Sequence, residues 1–192
     1  MNQIILLAKA WNFAAQKHAA QRRKGMAQEP YVNHLAEVAE LVAVATDGTD
    51  ANLVAAAVLH DTIEDTETTA GELAQGFNED ICRLVLEVTD DKSLAYQVRK
   101  DRQVSTAATK SDRAKVLKLA DKTANLRSLA NSPPADWDAA QRRQYLDWCN
   151  EVVAGLRGAN RWLEAEFDHT AENTRLALGD RPDRTPASAP SG

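Results

Sequence analysis

Apolar residues recur at steps of three and four through most of this chain of 192 residues. That step is the period of an amphipathic α-helix, whose repeated positions line one face. No stretch shows sustained alternation of apolar and polar residues, and the Asp47-Gly48 pair lies between two helical patterns rather than two strands. The pattern therefore predicts an all-α fold, a compact bundle of several helices. Its helical segments are Ile4–Ala15, Leu35–Val42, Leu53–Val58, Ile81–Val88, Ala114–Ala124 and Trp148–Leu156.

Prolines mark the connections between these segments, because proline cannot occupy a helix interior. Pro30 precedes Tyr31, and two more prolines at 133 and 134 precede the last helical stretch. From Gly179 onward prolines recur among small and polar residues without any apolar period. We expect residues 179–192 to be a disordered tail and residues 1–178 to form a single domain.

Composition and charge narrow the function classes. At 44% hydrophobic and 27% charged residues the chain is an ordinary globular one, and its net charge of −5 disfavours nucleic acid and anionic membranes as partners. The apolar stretch at residues 4–7 is too short for a signal peptide or membrane span. Cys82 and Cys149 form no Cys-x-x-Cys motif, so buried reduced thiols are expected. These features predict a cytoplasmic protein and leave its oligomeric state open.

A group of ionisable residues ends the apolar segment that begins at Leu53. On a continuous helix Asp61 lies one turn beyond Ala57, on the face that enters the core. An ionised carboxylate there is costly unless it is paired or binds a metal. The pattern is typical of a hard-cation site, and the alternatives are a buried hydrogen-bonded pair or a helix end facing solvent. The ionisable residues are His60, Asp61, Glu64 and Asp65.

Two other segments supply further candidate ligands. Asp121 continues an apolar helix face and has Asn125 one turn later, although a structural ion pair would also explain it. His34 follows Pro30 at a predicted helix start, where a hydrogen-bonded structural histidine is the alternative. Two imidazoles and two carboxylates without sulfur suit Mn, Fe or Zn. This set comprises His34, His60, Asp61 and Asp121, whereas His18 and His169 fit no such spacing and are expected at the surface or behind the ligands.

Basic residues concentrate between Lys92 and Arg127. Ten basic and three acidic residues give this stretch a charge of +7, and Arg22, Arg23 and Lys24 add to it. Such a field attracts a compact polyanion such as a nucleotide polyphosphate, although a solvated basic face is the simpler alternative. The sequence has no glycine-rich phosphate loop, so a metal would have to neutralise phosphate charge and lower the pKa of a water molecule. The reaction class indicated is hydrolysis of a phosphoester or pyrophosphate ester.

The order of these motifs is that of a known family. The chain resembles the HD-domain hydrolases of the RelA/SpoT family, and among them the small alarmone hydrolases related to the metazoan SpoT homologue. Leu35 departs from the pattern, since a proline is common after the first histidine, and so does the loop Gly25–Glu29. The matching motifs are His18–Lys24, Tyr31–His34, Leu59–Thr66, Glu87–Leu94, Lys118–Lys122 with Asn125, and Gly155-Leu156 with Asn160.

The resemblance implies a helical HD domain that binds one Mn²⁺ and removes the 3′-pyrophosphate from ppGpp or pppGpp, giving GDP or GTP. The implied metal ligands are His34, His60, Asp61 and Asp121. Glu64 and Asp65 match an acidic pair that positions or activates the attacking water. Arg23 and Lys24 match a basic pair against the nucleotide, and Asn125 matches a residue at the ribose.

Other functions fit the same residues. The metal centre could act on an adenine alarmone of the pppApp type or on the 2′-phosphate of NADPH, because the base pocket cannot be identified from the sequence. A non-catalytic nucleotide-binding module is a further alternative. Such a module should have lost some of the metal ligands or Glu64-Asp65, and none of these residues is lost.

Overall fold

Ten α-helices account for most of residues 2–179, the part of the chain that the computed structural model describes. Within this range, β-type pairing is limited to isolated bridges, so the predicted all-α fold is confirmed. Of the expected disordered tail, everything beyond Gly179 lies outside the described residues. The helices are α1 (Gln3–Lys17), α2 (Val32–Ala45), α3 (Ala51–Leu59), α4 (Thr62–Asp65), α5 (Ala70–Gly76), α6 (Glu79–Val88), α7 (Tyr96–Thr106), α8 (Asp112–Asn131), α9 (Ala139–Ala154) and α10 (Arg161–Ala177).

Polar side chains define where many of these helices begin. Asp50 accepts a hydrogen bond from the Leu53 amide at the start of α3, and Ser111 accepts one from the Ala114 amide at the start of α8. Thr69 and Glu72 form a reciprocal capping box on α5. These bonds satisfy amides that have no partner within the helix, so the helix starts are encoded locally.

The core is built around α3 and α8. Every residue from Leu53 to Leu59 is buried, and α3 packs against α1, α2 and α6. α8 packs against α2, α6, α9 and α10. The predicted apolar faces of α2, α3, α6 and α8 are all buried. Because α8 is enclosed by other helices, any ionisable residue on its inner face needs a partner inside the protein.

The first helix buries only part of its predicted apolar face. Ala14 of that face is buried, and Leu7 and Trp11 are half-buried, but Ile4 is 78% exposed and Ala8 and Ala15 are also exposed. Leu6 and Ala10, which lie outside the predicted face, are buried. The first residues of α1 are apolar on all sides, so periodicity alone could not select the buried face there.

The loop between α1 and α2 is fastened to the loop between α8 and α9. Within the first loop the Arg23 amide donates to Glu29 O at 2.9 Å. Gly25 pairs with Pro134, and the Met26 amide donates to Pro133 O at 3.1 Å. The proline segments predicted as connections are therefore connections, and their contact holds the basic loop beside α8.

No helix within residues 2–179 combines the length and apolarity needed to cross a membrane.

Candidate metal centre

Two histidines and two aspartates meet at one point, although they come from three separate parts of the chain. His34 belongs to α2, His60 and Asp61 connect α3 to α4, and Asp121 lies in α8. The possible ligand atoms of His34, His60 and Asp121 all lie within 4.8 Å of one another. Asp61 contributes its Oδ2, which is 3.1 Å from His60 Nε2 and 3.7 Å from His34 Nε2. The structure thus brings together the four side chains that the sequence analysis grouped.

The separations between these atoms suit a single cation. Asp121 Oδ1 lies 3.4 Å from His34 Nε2 and 3.9 Å from His60 Nε2. Ligands about 2.1 Å from one ion lie about 3.0–3.4 Å apart when their angle at the ion is between a right angle and the tetrahedral value. The observed distances reach or slightly exceed this range. A divalent ion would therefore require only a small contraction of the cluster.

The helix that carries the His-Asp pair does not continue through it, contrary to expectation. α3 ends at Leu59, and the one-turn α4 begins at Thr62. The Thr62 hydroxyl donates to Leu59 O at 2.6 Å, which ends the first helix with a side-chain bond. Asp61 is consequently half-buried, with 17% of its side chain exposed. Glu64 and Asp65 therefore lie on a separate short helix and do not continue the helix face of His60 and Asp61.

The imidazole of His60 is oriented by the backbone. Its Nδ1 lies 2.8 Å from Ala57 O, so it carries the proton in the neutral ring and donates to that carbonyl. This tautomer leaves a lone pair on Nε2, which is buried and has no hydrogen-bond partner. A buried imidazole nitrogen without a partner, directed at carboxylates, is the arrangement found in metal-binding histidines.

The two histidines differ in their affinity for protons. Burial lowers the pKa of His34, so this ring is neutral and able to act as a ligand. Burial also disfavours the charged form of His60, but the carboxylates of Asp61 and Asp121 outweigh it and raise the pKa of His60 to about 9. The carboxylates thus stabilise a positive charge at His60 Nε2. A proton and a divalent cation would compete for this position.

Both aspartates are held ionised by neighbouring groups. Burial opposes ionisation of Asp121, yet the ammonium of Lys122 and the imidazole of His34 keep its pKa well below the usual range. The Lys122 Nζ lies 3.1 Å from Asp121 Oδ2, so the second oxygen of this carboxylate forms a buried ion pair. Burial is likewise overcome at Asp61, whose pKa is lowered mainly by His60. The ion pair that was considered as an alternative for Asp121 is therefore present, and Oδ1 of the same carboxylate still faces the two imidazoles.

Glu64 and Asp65 lie beside the cluster on α4, and each has partners of its own. Glu64 Oε2 accepts a hydrogen bond from the Asp90 amide at 3.0 Å, while Oε1 is 3.8 Å from Arg99 Nη1. Burial raises the pKa of Glu64 above its ordinary value. Asp65 is more exposed, forms an ion pair with Lys92 and accepts a hydrogen bond from Gln21 at 2.8 Å.

The residues matched to nucleotide binding lie on α8 and on the loop between α1 and α2. Asn125 Nδ2 donates to Asp121 Oδ1 at 2.7 Å, and its own Oδ1 accepts from Arg23 Nη2 at 3.3 Å. Arg23 is thereby linked to the ligand cluster through one amide side chain. Lys24 is exposed and makes no hydrogen bond or ion pair with any residue in the described part of the chain.

Four residues support the cluster from behind, and three of them, Tyr31, Lys122 and Gln21, were not given this role from the sequence. The Tyr31 hydroxyl donates to Asp61 Oδ2 at 2.6 Å, and Lys122 pairs with Asp121. His18 is buried, stacks on the Tyr31 ring with 5.1 Å between ring centroids, and its Nδ1 lies 2.5 Å from Gln21 Oε1. Of the two positions expected for His18, it therefore takes the one behind the ligands. The available signal was adjacency, because Tyr31 lies three residues before His34 and Lys122 directly follows Asp121.

Known proteins share this arrangement of sequence and fold. Residues 10–161 match the family model of the HD domain. The guanosine-3′,5′-bis(diphosphate) 3′-pyrophosphohydrolase MESH1 of Xenopus tropicalis is 45% identical over 173 residues, which are 90% of this chain and 97% of that protein. The protein of the same name from Homo sapiens is 43% identical, over 90% of this chain and 96% of that protein.

A solved structure gives the same result at the level of the fold. It is described as a metazoan ortholog of SpoT that hydrolyses ppGpp and plays a role in starvation responses, and it matches with a TM-score of 0.85 and 43% identity. The match covers 89% of this chain and 96% of that one. The chain therefore belongs to the HD-domain family, among the relatives of the metazoan SpoT homologue.

Proposed function

We propose that this protein is a metal-dependent hydrolase that removes the 3′-pyrophosphate of guanosine alarmones, converting ppGpp to GDP and pppGpp to GTP with release of pyrophosphate. The observation that carries the proposal is the convergence of two imidazoles and two carboxylates beside Glu64 and Arg23. The activity named for the relatives from Xenopus tropicalis and Homo sapiens supports the choice of substrate.

In this proposal His34, His60, Asp61 and Asp121 hold the cation, for which Mn²⁺ is our first choice among Mn, Fe and Zn. The nitrogen and oxygen ligands without sulfur suit all three ions, and Mn²⁺ is preferred because the resemblance to the RelA/SpoT-family hydrolases implies it. A bound divalent ion would neutralise phosphate charge and lower the pKa of a nearby water molecule. The Tyr31 hydroxyl orients the Asp61 carboxylate, and the Lys122 ammonium orients the Asp121 carboxylate and holds it ionised.

Glu64 is proposed to take the proton from the attacking water. Its raised pKa places it closer to neutral pH than an exposed glutamate, which suits a group that must accept a proton and later release it. The Asp90 amide fixes one of its carboxylate oxygens. Asp65 is proposed to position the water or the substrate, and it is held by Lys92 and Gln21.

Arg23, Lys24 and Asn125 are proposed to contact the nucleotide. Arg23 and Asn125 are hydrogen-bonded to each other next to Asp121, so a ribose or phosphate at that point would meet a guanidinium and an amide together. The exposed ammonium of Lys24 is available to a phosphate group. We propose the cytoplasm as the location, because Cys82 and Cys149 are both buried and unpaired, as is usual in a reducing compartment.

Turnover of defined nucleotides tests the proposal. The purified protein, with and without added Mn²⁺, is incubated separately with ppGpp, pppApp and NADPH, and the products are resolved by ion-exchange chromatography. The expected result is GDP and pyrophosphate from ppGpp, at a higher kcat/KM than for the other two, and loss of turnover in the Asp121→Ala protein.

Two results would contradict the proposal. Full turnover in Asp121→Ala or His60→Ala would show that the cluster is not the catalytic centre. A higher kcat/KM for pppApp or NADPH would keep the centre but replace the substrate. The exposed Asp101 provides a matched control, because Asp101→Ala removes an equal charge from α7 and should leave turnover unchanged.

A further inference from the structure

A second polar cavity lies between the end of α6, helix α7 and the start of α8. Its volume is about 290 Å³, close to the lower limit of about 300–1,000 Å³ for small-molecule pockets, so it suits a compact ligand better than a whole nucleotide. Four cationic side chains contribute to its lining. They are Arg99, Arg102, Lys110 and Lys118.

The two lysines have spare hydrogen-bonding capacity. Lys118 is only 7% exposed, and its Nζ donates to Val88 O at 3.1 Å. Lys110 Nζ donates to Glu87 O at 2.6 Å. Neither ammonium has a carboxylate oxygen within 4.0 Å in the described part of the chain, and each has three donors of which one is engaged. Burial and the charge of Lys118 lower the pKa of Lys110, and the carboxylates of Glu87 and Asp90 only partly oppose this shift.

The carboxylates that line the cavity accept hydrogen bonds from neutral donors. Asp90 Oδ2 accepts from Gln103 Nε2 at 2.5 Å. Asp91 accepts from the amide and hydroxyl of Ser93 at 3.0 and 2.6 Å. The carboxylate of Glu87 accepts from the amide and hydroxyl of Ser111 at 2.6 and 2.8 Å. The three carboxylates of the lining therefore accept hydrogen bonds from neutral groups, while each lysine keeps unused donors.

Two buried polar atoms of lining residues also lack partners. They are Arg99 Nε, a donor, and Gln103 Oε1, an acceptor. A buried polar atom without a hydrogen bond is costly, so both atoms point to a missing ligand or water. An oxyanion would satisfy the guanidinium. Inorganic phosphate retains a P–O–H group at neutral pH, which could donate to the amide oxygen, whereas sulfate has no such group.

We infer that this cavity is a second anion site, separate from the metal centre, that binds inorganic phosphate or pyrophosphate through Arg99, Arg102, Lys110 and Lys118. The inference does not depend on the proposed function. The site lies close to the cluster, since Lys118 is one helical turn before Asp121, and Arg99 and Asp90 both contact Glu64.

Calorimetric titration of the chelator-treated protein tests the inference. The probes are orthophosphate and pyrophosphate, with sulfate as an anion of the same shape as orthophosphate. The variants are Arg102→Gln, at an exposed residue, and Lys110→Gln. Each should weaken binding about tenfold, the usual effect of one lost charge-assisted hydrogen bond. Lys115→Gln is the matched control, because Lys115 lies on α8, does not line the cavity and should not change binding.

The outcomes separate the possible sites. Binding that weakens in Arg102→Gln but not in Lys115→Gln supports the inference, and the tighter of the two phosphate probes identifies the occupant. Sulfate binding as tightly as orthophosphate would remove the role given to Gln103. Binding that appears only after Mn²⁺ is added back and is unchanged in Arg102→Gln would place the anion at the metal centre and overturn the inference, as would equal weakening in all the lysine and arginine variants or no binding at all.

Discussion

Single residues behind the ligands determine how this cluster is held together. The two oxygens of Asp121 have different partners, since Oδ1 faces the imidazoles and Oδ2 pairs with Lys122. The Asp61 oxygen that faces the imidazoles also accepts the Tyr31 hydroxyl. Such outer partners orient ligands and change metal affinity when they are removed.

Tyr31→Phe tests this role with a minimal change. The variant keeps the ring that stacks on His18 but removes the hydrogen bond to Asp61. We expect Mn²⁺ affinity to fall about tenfold or more, because loss of a ligand's supporting bond has an effect of about 10–100-fold. The measurement is competitive metal titration. Tyr96→Phe, at an exposed ring, is the control, and equal affinities in the two variants would refute the role.

Glu64 gives a prediction for the pH dependence. Burial raises its folded-state pKa above the ordinary value of 4.5, so the protonated form, which cannot accept a proton, persists to higher pH. The activity of the native protein should therefore decline on the acidic side with a midpoint above 4.5. Glu64→Gln should lower kcat about 10²–10⁴-fold and remove that decline from the residual activity. A pH–rate profile of the variant that retains the same acidic midpoint would assign it to another group.

At the scale of elements, the basic loop between α1 and α2 depends on a close backbone contact. A Cβ added to Gly25 would lie 2.2 Å from Ser132 O, which is backbone and cannot move aside as a side chain could. Only glycine allows the loop to approach the end of α8 this closely. This contact explains how Arg23 is brought beside Asn125.

Gly25→Ala should therefore destabilise the protein by about 1–3 kcal/mol, as overpacking does, and should also lower activity because Arg23 shifts. Gly76→Ala is a matched control, since a methyl group added at this position, the end of α5, would have no atom within 4 Å beyond its chain neighbours and the nearby backbone of its own helix. That substitution should be neutral or stabilising by up to about 1 kcal/mol. Urea unfolding measures both, and equal stability of the two variants would contradict the steric argument.

Helices were predictable from the sequence where apolar positions were separated by polar ones. The buried faces of α2, α6 and α8 were predicted correctly from this spacing of three and four residues. The break after Leu59 was not predictable, because it depends on the Thr62 side chain bonding to a carbonyl of the preceding turn. The residues on both sides of Thr62 have helical spacing, so the apolar periodicity does not reveal that its hydroxyl bonds to Leu59 O.

At the scale of the whole molecule, His60, Asp61 and Asp121 could be grouped from the sequence because they follow or extend apolar helix segments, and His34 could be added because it follows Pro30 at a helix start. The supporting contacts were not, because Tyr31, Gln21 and Lys122 are ordinary polar residues until the helices are packed. The roles given to Glu64, Asp65, Arg23, Lys24 and Asn125 remain predictions from the resemblance.

The distribution of charge predicts how the protein meets its substrate. The chain carries −5 overall but +7 between Lys92 and Arg127, so attraction of a polyanion is local. Raising the ionic strength from about 0.1 M to about 1 M shortens the Debye length from about 10 Å to about 3 Å. KM for ppGpp should rise several-fold over this range while kcat changes little. A KM that does not depend on salt would contradict the proposal that the local positive charge attracts the substrate.

Metal binding should stabilise the entire fold, because its ligands come from α2, the α3–α4 connection and α8. A cation that binds only the folded state adds about 2.7 kcal/mol at a concentration 100 times its Kd. For a domain of this size that corresponds to a rise in Tm of about 5–11 °C. Differential scanning fluorimetry with Mn²⁺ measures the shift, and a chelator should reverse it. Asp121→Asn should abolish the shift and Asp101→Asn should preserve it, whereas the same shift in both variants would mean that the ion stabilises the protein from another site.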